Sequence, residues 1–128
     1  MLVGRRLSAS FALLLILGGC AVSDAQVPGT YTVSYPFGTE TLTLTQDGIF
    51  IQEVRLVDEA PVTVNGTWKF DAKESRITFT GMMIVVDSLG LRRSSWKTVA
   101  KGLVVSNVVK HPSGIQIGSG GQYPFLKK

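Results

Sequence analysis

A chain of 128 residues with a formal charge of +4 has room for one domain and little else. Its 45% hydrophobic and 17% charged residues exclude wholesale disorder, and one histidine with one cysteine is too few soft ligands for a transition-metal site. Fourteen glycines, with abundant Thr and Val, favour strands and turns over helices.

Residues 1–19 have the three parts of a secretory signal: Arg5 and Arg6 as the positive segment, an apolar run from Leu7 to Leu17, and small residues at its end. The run is too short to span a hydrocarbon core, which takes ~20 apolar residues. The tetrad Leu17-Gly18-Gly19-Cys20 that follows resembles the lipobox of bacterial lipoproteins. The resemblance implies a lipid on the sulfur of Cys20, cleavage between Gly19 and Cys20, and acylation of the new N-terminus. Glycine at position 18 departs from the alanine or serine more usual there. A conventional cut after Ala25, in Ser23-Asp24-Ala25, is the alternative. Cys20 is the sole cysteine, so no internal disulfide exists, and a cysteine-free mature domain suits an oxidising compartment. Several acyl chains anchor effectively, since each buried CH₂ contributes ~0.8 kcal/mol. Ala21 after the cysteine implies, in a Gram-negative host, the periplasmic face of the outer membrane. Residues 20–29 then read as the lipidated cysteine and a polar tether of at most ~30 Å, and 30–128 as a single domain.

Within that domain the period is two. Thr39 to Thr45 alternates polar and apolar, Gln46-Asp47-Gly48 is a hairpin signal, and Ile49 to Leu56 returns as the next strand. Val62, Val64, Gly66, Trp68 and Phe70 share one face, and Ile77 and Phe79 continue it after a polar connection at Asp71 to Ser75. Leu42, Leu44, Trp68, Phe70, Ile77 and Phe79 are expected in one core. Asn65-Gly66 is either a hairpin turn or a bulge inside one continuous strand. Met82 to Val86 reads as a buried strand. Ser88 to Gly102 reads as a long basic loop with a helical turn, because Leu89, Trp96, Val99 and Leu103 fall on one helical face broken by Arg92 and Arg93. Leu103 to Val109, Gly114 to Ile117 and Tyr123 to Leu126 are closing strands. Roughly eight strands in succession define an all-β, antiparallel meander closing into an up-and-down barrel. Gly29-Thr30-Tyr31, Tyr35 to Leu42, Gly66-Thr67-Trp68 and Tyr123-Pro124-Phe125 resemble small bacterial envelope proteins of lipocalin-like shape, a resemblance that implies no known activity.

Charge is unevenly spread. Asp24 to Asp87 holds all nine acids against four cations, a balance of −5, whereas Ser88 onward holds seven cations and no acid. Arg92, Arg93, Lys97 and Lys101 are therefore candidates for contact with an anionic surface, unless the halves interleave and neutralise one another. No catalytic constellation stands out. His111-Pro112-Ser113-Gly114 reads as a turn, and no Gly-x-Ser-x-Gly elbow supports a set built from Ser113, His111 and Asp87. Asp58-Glu59 reads as a solvated turn. No cofactor, metal or nucleic-acid partner is expected. Three functions stay open: a membrane-anchored accessory or binding module with an envelope protein partner, a lipocalin-like carrier of a small apolar ligand, and a hydrolase, for which no residue speaks.

Overall fold

The computed structural model describes residues 21–87, 96–118 and 123–128. Eight strands follow one another: β1 Gly29–Tyr35, β2 Gly38–Leu44, β3 Ile49–Leu56, β4 Val62–Asp71, β5 Arg76–Asp87, β6 Trp96–His111, β7 Gly114–Ile117 and β8 Phe125–Lys127. Each pairs antiparallel with its neighbours in the chain, and β8 pairs back onto β1, so the meander closes into a barrel. Closure removes the free edge around the ring, although β5 and β6 extend beyond it as a pair over Met82–Asp87 and Trp96–Gly102.

Alternation decides the walls. On β2 the Thr positions face out while Glu40, Leu42 and Leu44 are buried, and on β3 Phe50, Gln52, Val54 and Leu56 are buried. The β2–β3 hairpin turns where Gly48 takes φ +87°, and Thr45 Oγ1 donates to Ile49 O at 2.9 Å and to the Asp47 carboxylate. Leu42, Leu44, Ile77 and Phe79 fall in one core with Tyr31, Phe50, Val108 and Ile117, and Trp68 and Phe70 pack against it half-buried. Phe50 and Phe79 meet edge to face at 5.6 Å, a favoured aromatic geometry. The six residues expected to share a core do so.

Asn65-Gly66 is neither turn nor bulge. Gly66 stands inside β4 opposite Phe50, and a Cβ there would lie 2.2 Å from Thr80 O and 2.6 Å from Phe50 Cε2. The position takes glycine because the Phe50 ring and the β5 backbone occupy that space. The bulge lies next door on β5. The β5–β6 register shifts between Thr80 and Met82 and again between Met82 and Ile84, with Gly81 at φ +88°. Below it β5 pairs with β4 over Thr67–Asp71; above it β5 pairs with β6 alone.

Three expectations need correction. Trp96 to Gly102, read as loop with a helical turn, is the first half of the sixteen-residue β6 and pairs with Met82–Asp87. Buried strand backbone requires partners, and this segment supplies them for β5, which outweighs an interrupted helical stripe. Within the run Met82 to Val86, Met82 and Met83 are buried but Ile84 is 39% exposed. Finally, the described part of the 20–29 tether is packed rather than free. Val22 and Val27 are core residues, joined by a single 3-10 turn at Asp24–Gln26 in which Ser23 N–H donates to Gln26 Oε1 at 2.9 Å. Tyr31 Oη donates to Val27 O at 2.6 Å and Lys127 Nζ to Gln26 O at 2.5 Å, fastening the segment to β1 and β8. Burial pushes the Tyr31 phenol up to about 12.

Candidate functional site

Two features have the chemistry of a site. The first is inside the barrel. Glu40 occupies an inward position of β2 in line with Leu42 and Leu44, and Gln52 does the same on β3 between Phe50 and Val54; the two are 3% and 0% exposed. Tyr35, at the end of β1, donates its hydroxyl to Glu40 Oε2 at 2.5 Å, and Gln52 Nε2 donates to Glu40 Oε1 at 2.5 Å. The Gln52 amide also pairs both ways with the backbone of Met83: Nε2 donates to the carbonyl at 2.9 Å and Oε1 accepts from the N–H at 2.9 Å. Met83 lies within the second register shift, between Met82 and Ile84, where β4 no longer accompanies β5, so the side chain of Gln52 stands in for a missing strand. Tyr123 meets the Tyr35 ring edge-on at 5.1 Å.

Burial raises the Glu40 carboxyl above the ordinary range, against a smaller pull downward from the Tyr35 and Gln52 hydrogen bonds. Tyr35 is raised as well, first by burial and then by the adjacent Glu40. Burial thus works against the charge on Glu40 while both of its oxygens accept a hydrogen bond, in a chain that runs from Tyr35 through Glu40 and Gln52 to the β5 backbone. Sequence reasoning missed both residues, although a signal was present. Glu40 and Gln52 sit on the apolar phase of otherwise regular alternations, and a polar side chain on that phase must be buried with partners.

The second feature is an open groove of about 1080 Å³ beside the N-terminal segment. Asp24, Ala25 and Pro28 of the N-terminal segment form one bank and the Gln46–Gly48 hairpin tip another; Thr67 to Phe70 of β4 and Thr78 and Thr80 of β5 complete it. Trp68 ties the bank to the sheet, its indole N–H donating to Thr45 O at 3.0 Å and Ile49 O at 3.1 Å.

Of the residues singled out by sequence, Gly19, Cys20, Arg92 and Arg93 lie outside the described residues, and Lys97 and Lys101 stand on the β6 backbone. His111 and Ser113 are exposed at the β6–β7 turn, whereas Asp87 pairs with Trp96 at the opposite end of β6; these three are not brought together. Asp58, at φ +65°, and Glu59, whose N–H donates to Leu56 O, form an exposed turn. Among the described residues no three His, Cys, Asp or Glu converge as metal ligands. The architecture is that of a small up-and-down β-barrel. Comparison with protein families, with curated proteins and with solved structures found no match to this chain.

Proposed function

We propose that this protein is a lipid-anchored protein of the bacterial cell envelope whose barrel serves as a binding or accessory module held at the membrane. The observation that carries the reading is the join between signal and domain. A basic, apolar, small-residue leader ends in Leu17-Gly18-Gly19-Cys20, and the first core residue, Val22, follows only two positions later. A lipid on Cys20 would thus hold the barrel within ~7 Å of its anchor point. In a Gram-negative host Ala21 favours the outer membrane. A carrier of a small apolar ligand is less well supported, because Tyr31, Leu42, Phe50, Ile77 and Phe79 already occupy much of the interior with their own side chains.

The test is metabolic labelling with a fatty acid in the native host. Wild-type protein is expected to take up label and sediment with membranes, whereas Cys20→Ser, which lacks the sulfur, takes up none and remains uncut or is released after Ala25. A wild-type protein that stays unlabelled and partitions into buffer overturns the proposal.

A further inference from the structure

We infer that the outer face of β3 to β6 is a membrane-docking face, on which the barrel lies against lipid headgroups beside its own anchor. The inference rests on the proposed lipidation of Cys20. Strand register brings Ile49, Thr67, Thr80 and Leu103 into one row across four strands, about 14 Å at the usual strand spacing. Val105 lies one outward position further along β6, opposite Thr78. Leu103 is 67% exposed and Val105 51%, the most open apolar pair on any one described strand, and Ile49 is 38% exposed. Hydroxyls separate them, and Lys69, opposite Thr78, places a cation beside them. Such a surface is unfavourable in water, yet suits the interface of a bilayer, where apolar tips enter the acyl boundary while hydroxyls and a cation meet headgroups.

The position of the chain start selects a bilayer as the occupant. Ala25 and Pro28 line the same groove as Thr67, Thr78 and Thr80, so the segment leading back to Cys20 passes close to this part of β4 and β5. Val22, embedded in the core, leaves only Ala21 between it and the lipid-bearing residue. So short a link leaves the barrel little freedom to swing about its anchor, and the apolar face lies on the anchored side. β1 stands two to four strands away from β3 to β6 around the closed barrel, four from β5, so its outer positions look away from the proposed face.

The mature protein offers a clean probe, since Cys20, once alkylated by lipid, leaves no free thiol. Thr80→Cys and Ser34→Cys, both at exposed positions, are purified with their lipid, labelled with a thiol nitroxide and reconstituted into vesicles of phosphatidylethanolamine mixed with phosphatidylglycerol. The expected result is a severalfold higher ratio of oxygen to nickel-chelate collision at position 80 than at position 34. Adding Leu103→Asp and Val105→Asp should abolish the difference while the protein still floats with the vesicles and melts unchanged. Equal ratios at 80 and 34 in a labelled, floating protein overturn the docking face and leave the anchor standing. Spin–spin broadening at position 80 that grows with protein density assigns the face to a second copy and also overturns it. Absence of fatty-acid label removes the anchor, and the docking face with it.

Discussion

Trp68 ties a hairpin to the core through one nitrogen and one ring. Its indole N–H reaches Thr45 O and Ile49 O at the two sides of the β2–β3 turn, while the ring packs half-buried against the main cluster. Trp68→Ala is expected to destabilise by ~3–5 kcal/mol, a large share of the ~5–15 kcal/mol typical of such a domain. Trp68→Phe keeps most of the packing and loses only the hydrogen bond, about 1 kcal/mol. Chemical denaturation separates the two, and Thr41 and Thr43, outward on β2, serve as near-silent controls. Glu40 behaves differently because its energy depends on a proton. Burial raises its carboxyl in the folded barrel, so the folded state binds the proton more tightly than the unfolded chain. The stability this contributes is complete below the ordinary carboxylate pKa of about 4.3 and is lost as pH rises through the raised folded value. The melting temperature should therefore decline from mildly acidic toward neutral pH. Glu40→Gln, which cannot ionise, should remove that decline; an unchanged slope would assign it elsewhere.

At the scale of elements, the β4–β5 step is where the barrel is most constrained. Gly66 faces Phe50 on one side and the Thr80 carbonyl on the other. Gly66→Ala must displace an aromatic ring, a strand, or both, and should cost at least the ~1–3 kcal/mol typical of overpacking. Urea titration should show a lower midpoint at unchanged slope. Legibility varied here for physical reasons. Thr39 to Thr45 was readable because every outward residue is polar, and the core set from Leu42 to Phe79 followed from phase alone. Gly66 was not, since Asn-Gly is equally a turn and a place where two backbones come close. The first half of β6 is hard to read because it pairs on one side only, with β5, and so lacks a clean period, and Gly102, opposite Met82 at the register shift, breaks the pattern further. The Gln52–Met83 pairing was out of reach altogether, for it joins residues thirty-one positions apart through a side chain mimicking backbone.

For the whole molecule, a barrel built from successive hairpins has almost all its pairings between strands adjacent in sequence. The exception is the closure of β1 on β8, which spans Tyr31↔Lys127 and Thr32↔Leu126, with Lys128 N–H donating to Thr30 O at 2.9 Å. Bringing ends ~96 residues apart together costs roughly 4 kcal/mol of chain entropy by the logarithmic loop law, and few ladder bonds repay it. Much of the compensation comes from outside the ladder: Val22 and Val27 in the core, Tyr31 on Val27 O, and Lys127 on Gln26 O. The stretch between Val22 and β1 is thus a clasp across the joint that closes the barrel. Were Cys20 to carry the proposed lipid, a pull on it would be a pull on that clasp, so tension at the N-terminus would reach the joint that closes the ring and the molecule would carry its load through its own seam.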